Sequence, residues 1–235
     1  MGISVQFDAI ARLVRHRPAT YLLIAANVLV YFVQLAYPAL SELFSTLGRG
    51  SLRDGQLYVF DGNQHPGYSP VGIATGEWYR VLTGSFLHLE PGEGVGTAHI
   101  ASNMLWLWLF GRALEPMVGS VRLTALYLGS AAGGGLMVYQ LAPDTPTVGA
   151  SGAVYGLVAA YFILSLRNRG ERQSVGTLTA MFLIWLLISA YVTSWQGHLG
   201  GFLTGAVIGV VYLLSERRPR PTGKDFTPAW HPDRI

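Results

Sequence analysis

Six apolar runs, at residues 20–37, 98–115, 121–141, 150–166, 176–194 and 198–214, set the strongest limit on what this chain can fold into. Each approaches the roughly 20 residues a helix needs to cross about 30 Å of hydrocarbon. With the last five joined by short loops, the six cannot all be hidden in a single soluble core of 235 residues. The chain is 51% hydrophobic and only 12% charged, about half the ~25% charged fraction of an ordinary soluble domain. The expected fold is an all-α integral membrane protein of six transmembrane helices. Residues 1–19 form an N-terminal segment, 20–215 the membrane domain with a long outer loop at about 38–97, and 216–235 a polar, mostly disordered tail.

The basic residues orient this bundle. With the N-terminus in the cytoplasm, 13 Lys and Arg fall on the cytoplasmic side, and only Arg49, Arg53 and Arg80 lie outside, although the longest loop is there. That asymmetry fits the positive-inside rule and places both termini in the cytoplasm. The net charge of +3 thus reflects topology, not nucleic-acid binding. The first 17 residues lack the apolar core of a cleavable signal, so the first membrane segment is expected to do the targeting. Phe7 to Val14 reads either as an amphipathic stretch on the inner leaflet or as a helical lead-in. The chain has no Cys, so covalent catalysis would have to use oxygen, and no Cys-based metal site exists.

Polar residues inside membrane helices are expensive and mark candidate sites. Here they converge on one level. The second, fourth and sixth segments begin at the outer face with His99 and Asn103, with Gly149-Ala150-Ser151-Gly152, and with Gly197-His198. Ser151 reads as a helix N-cap or as a nucleophile beside unpaired backbone N–H groups, and its place at a helix start favours the second reading. His198 opens the last segment on a stripe of Gly197, Gly201, Gly205 and Gly209. Gly152 and Gly156 match that stripe on the fourth segment, so the two backbones can approach closely. A Ser/His pair needs this proximity.

Tyr155, one turn below Ser151, either packs on the imidazole or belongs to the core. From Thr145 to Ser215 the only carboxylate is Glu171, on the cytoplasmic side, so a dyad is expected in place of a triad, with Asp144 the one acid able to approach. His99 and Asn103 suit a role as neutral oxyanion donors.

These residues resemble the rhomboid family of intramembrane serine proteases over Tyr21 to Leu214. His99, Asn103 and Trp106 match its HxxxNxxW start of the second helix, and Gly111, Glu115 and Gly119 its GxxxExxxG end. Gly149-Ala150-Ser151-Gly152 matches the nucleophile motif, with Tyr155 at the stacking position. Gly197-His198, Gly201 and Gly205 match the base motif. Tyr79-Arg80 stands where the family has a Trp-Arg pair, and Pro91 to Gly96 lengthens a normally shorter connection.

The resemblance implies a six-helix rhomboid-like bundle that hydrolyses peptide bonds of single-pass membrane proteins near the outer face. Ser151 would be the nucleophile and His198 the base, with His99, Asn103 and the Ser151 N–H on the oxyanion and no metal or cofactor. Trp185, Leu186 and Leu187, with a cap from Tyr191 to Gln196, are expected to gate an outward-open polar cavity. A bacterial plasma membrane is the expected location. The alternatives are a non-catalytic rhomboid-like protein that binds membrane clients, and a small transporter, which would need an internal repeat not evident here.

Overall fold

The computed structural model describes residues 17–59, 63, 65–167, 172–188 and 194–215. Six long helices account for most of them: α1 (Pro18–Ala36), α4 (Thr97–Val118), α5 (Ser120–Leu141), α6 (Ser151–Ser165), α7 (Arg172–Ile188) and α8 (Trp195–Ser215). Two short ones, α2 (Ala39–Phe44) and α3 (Arg80–Thr83), lie in the loop between α1 and α4. Phe7 to Val14 and the tail from 216 lie outside the described residues, as do residues 189–193 of the expected cap. Of the expected gate, Trp185, Leu186 and Leu187 are described only as α7 backbone.

Three helices, α1, α5 and α8, are long and apolar enough by themselves to cross a membrane. The others fall short for physical reasons. α4 has the length, but His99, Asn103, Arg112 and Glu115 lower its hydropathy. α6 has 15 residues and runs only about 22 Å at 1.5 Å per residue. It is also the most enclosed element, with 11 of its 15 residues buried. Its neighbours therefore shape its environment more than any lipid does.

The loop between α1 and α4 departs from the all-α expectation. It contains a three-stranded antiparallel sheet, ordered β2-β1-β3, from β1 (Gly50–Arg53), β2 (Gln56–Val59) and β3 (Ser69–Val71). Asp54 and Gly55, at φ 51° and 79°, form the two-residue turn between β1 and β2. This Asp-Gly pair is the usual signal for a primed hairpin turn, but hydropathy for membrane spans does not register it. Arg80 anchors the loop. It is buried, with Nε bonded to Glu77 at 2.6 Å and Nη1 donating to the Glu42 and Ser45 carbonyls at the end of α2.

At the other end of the bundle Glu115 caps α1 from α4. Its carboxylate accepts the N–H groups of Ala19 and Thr20, both at 2.9 Å, the Thr20 hydroxyl at 2.6 Å and the Ser120 hydroxyl at 2.7 Å. Pro18 starts the helix and Arg17 supplies no side-chain cap, so the orphan N–H groups of the first turn take a carboxylate supplied from α4.

Candidate active site

The site is assembled where α6 and α8 begin. Gly149 turns the chain into α6 with φ 128°, a conformation L side chains rarely adopt. A Cβ there would also lie 2.7 and 2.8 Å from His99 Cε1 and Nε2. The Gly149 N–H donates to the Gly84 carbonyl at 2.9 Å. Just upstream, Thr147 and Thr46 exchange two backbone bonds of 2.9 Å, so the approach to Ser151 is sewn to the outer loop. Ser151 is the first residue of α6, and the N–H groups of that first turn have no intrahelical acceptor.

α8 begins at Trp195, a turn earlier than expected. His198 is therefore its fourth residue, and Trp195 and Gln196, expected in a separate cap, form its first turn. The helices meet through the glycine faces. A Cβ on Gly201 would run into the Gly152 carbonyl, and one on Gly205 into Gly156. Gly133, Gly134 and Gly135 of α5 add a third surface, against Thr204 and Gly200, the Gly197 carbonyl, and Val81 respectively. Three consecutive glycines inside an apolar helix are the sequence signal of this surface, beyond the glycines of the fourth and sixth segments.

Through this packing Ser151 Oγ lies 2.8 Å from His198 Nε2. The imidazole is buried, and its Nδ1 has no hydrogen-bond partner among the described residues. Asp144 does not reach it, being paired with Arg49 at 3.1 Å in a solvent-exposed bridge. What flanks the imidazole is the ring of Tyr155, stacked on it with centroids 4.5 Å apart and planes 18° from parallel. The Tyr155 hydroxyl donates to the Phe182 carbonyl at 3.3 Å, and the Phe182 ring packs edge-on against Tyr155, Trp106 and Phe110.

His99 sits beside Gly149 as described, and its Nδ1 accepts the Leu89 N–H at 3.2 Å. Asn103 is buried on the next turn of α4, and its Nδ2 donates to the His99 carbonyl at 2.9 Å. It makes no direct bond to Ser151 or His198. A cavity of about 20 Å³ lies against Ser151 and His198, lined also by Thr46, Ser85, Gly135 and Ser194. It has room for one water among the described residues. Among the described residues no three His, Asp or Glu side chains gather as a metal site.

The model of the Rhomboid domain matches residues 75–215, well over half of the chain and all of the site. The chain belongs to the rhomboid family. It is 32% identical over 190 residues to the rhomboid protease GluP of Bacillus subtilis (strain 168), covering 79% of this chain and 33% of GluP. The putative rhomboid protease YdcA of the same strain is 31% identical over 157 residues, 65% of this chain and 75% of YdcA. The rhomboid protease AarA of Providencia stuartii is 27% identical over 230 residues, 86% of this chain and 74% of AarA. The chain thus spans a third of GluP and about three quarters of the other two. Family and apolar helices together make it an integral membrane protein.

Proposed function

We propose that this rhomboid-family chain is an intramembrane serine endopeptidase in which Ser151 and His198 form the catalytic dyad. The observation that carries the reading is the 2.8 Å contact of Ser151 Oγ and His198 Nε2 across two helices whose spacing is set by glycine against backbone. Relatives named as proteases support it.

Ser151 Oγ attacks the scissile carbonyl and passes its proton to His198 Nε2, which must therefore be the unprotonated nitrogen of the resting ring. The oxyanion faces the Ser151 N–H and His99, with Asn103 behind His99. As the C–N bond breaks, the proton moves from His198 to the leaving amine. Water then attacks the acyl-enzyme with His198 again as base. No acid is called on to orient the imidazole; stacking on Tyr155 does that.

The proposed topology has six spans, both termini in the cytoplasm and the site toward the outer face. Its support is the distribution of basic residues. With α6 about 8 Å shorter than the hydrocarbon, Ser151 at its start sits below that face. Substrates are single-pass membrane proteins whose helices unwind readily there, since an extended backbone must be exposed for attack.

The test compares wild type, Ser151→Ala and His198→Ala in liposomes against a single-pass reporter, with a fluorophosphonate probe for the serine. Cleavage and labelling lost in both variants support the dyad. Labelling retained in Ser151→Ala removes Ser151 as nucleophile. A folded wild type that neither labels nor cleaves moves the reading to client binding.

A further inference from the structure

Gln34 stands on the last turn of α1, 1% exposed, one of two buried amides, with Asn27, in a mostly apolar helix. Burying an amide is unfavourable unless its polar atoms are paired, and here all of them have partners. Its Oε1 accepts the His88 N–H at 3.1 Å, and its Nε2 donates to the His88 carbonyl at 2.6 Å and to Ser41 Oγ at 2.9 Å. Gripping both backbone groups of one residue requires an acceptor and a donor on the same side chain. A carboxylate has only the first and an aliphatic side chain has neither.

The peptide group whose carbonyl Gln34 holds continues the chain of contacts at its other end. The Leu89 N–H donates to His99 Nδ1 at 3.2 Å. A ring nitrogen that accepts a hydrogen bond carries a lone pair, so the single proton of the neutral imidazole resides on Nε2. That nitrogen lies beside Gly149, two residues before Ser151, close to the space a Cβ would fill. The His88 ring packs against His99 with centroids 5.3 Å apart and edge-on against Tyr31, one turn before Gln34 on α1. One face of α1 therefore fixes the 88–89 backbone, and that backbone fixes the proton of His99.

We propose that Gln34 is a positioning residue for His99, acting through the 88–89 backbone to hold the imidazole in the tautomer whose Nε2–H points to the oxyanion. The inference rests on the donor reading of His99 given above. Without the grip, the Leu89 N–H drifts from Nδ1, the proton distributes over both ring nitrogens, and the fraction of molecules able to donate falls. The defect belongs to the transition state, so kcat falls while KM stays nearly unchanged.

The experiment uses the full chain in detergent micelles with 15N-labelled histidine, as wild type, Gln34→Leu and Leu89→Pro. The proline variant deletes the same final bond by removing the amide proton and carries the test where Gln34→Leu does not fold. His99 is assigned by the loss of its signals in His99→Ala. The wild-type ring shows the Nε2–H tautomer, and each variant shows a mixture. Reporter cleavage loses kcat by the factor by which the Nε2–H population falls, about twofold for an even mixture, with KM unchanged. The loss disappears when the variant is combined with His99→Ala.

A His99 tautomer unchanged in the variants overturns the inference, as does a kcat loss that adds in full to that of His99→Ala. A shifted tautomer with turnover intact in both the variants and His99→Ala, while Ser151→Ala is inactive, instead overturns the donor role of His99.

Discussion

The phenol ring of Tyr155 lies flat on the His198 imidazole at 4.5 Å, and its hydroxyl points away to the Phe182 carbonyl. The stack belongs to the ring and not to the hydroxyl. Tyr155→Phe therefore keeps it, and turnover should stay within about threefold of wild type, given that such contacts contribute ~0.5–1.5 kcal/mol in all. Tyr155→Ala removes both stack and core volume. It should cost roughly 3–5 kcal/mol of stability and more than tenfold in kcat, measured by thermal unfolding and reporter cleavage in the same detergent. A Phe variant as impaired as the Ala variant would place the function in the hydroxyl.

Sequence made the site legible where its chemistry needed particular residue types at helix starts. Ser151, His198 and the facing glycines are such residues, and the structure brings them to one place. It was silent where backbone does the work. Nothing in the residue type of Gly84 or Thr46 announces a carbonyl or an amide that holds the 147–149 approach. The α1 to α4 loop hid its sheet because membrane hydropathy averages over strands three or four residues long. Gln34 did leave a trace, an amide near the end of an apolar run, but only the fold brings it to His88.

Asp144 offers a negative prediction. Its carboxylate is engaged by Arg49 in an exposed bridge, and pairs of that kind contribute about 0–1 kcal/mol. Asp144→Asn should leave kcat and its pH profile within about twofold of wild type, and stability within ~1 kcal/mol. A large drop in kcat with the fold intact would mean that an acid does reach the imidazole during turnover and that the dyad is incomplete.

The glycines of α8 separate packing from mere flexibility. A Cβ on Gly205 would collide with the Gly156 backbone, so Gly205→Ala forces α6 and α8 apart. Overpacking of this kind costs roughly 1–3 kcal/mol, more where the obstacle is main chain, and it widens the Ser151 to His198 contact two turns above. Gly176 in α7 is the control, because among the described residues its Cβ would meet only Phe162 Cε2 at 3.9 Å, an ordinary contact. Gly176→Ala should leave stability within about 0.5 kcal/mol of wild type or raise it, since alanine is the better helix former. Equal losses in the two variants would show that the helix contact is not the cause.

His88 gives the molecule a predictable response to acid. Its ring is fully buried in the outer loop, neither nitrogen has a hydrogen-bond partner of good geometry among the described residues, and burial, then the neighbouring His99, lowers its pKa to about 3 against a smaller opposing pull from the Phe86 backbone. In the unfolded chain the same ring titrates near 6.5. Between these values the unfolded state binds the extra proton and the folded state does not. Stability is therefore full above pH ~6.5 and falls as the pH drops toward 3. From pH 6.5 to 5, before carboxylates titrate appreciably, His88 should account for a loss on the order of 1–2 kcal/mol. His88→Phe keeps an aromatic ring in the site and should make that part of the curve less steep by this amount, measured by unfolding at a series of pH values. A variant that retains the wild-type slope would assign the acid sensitivity to another group.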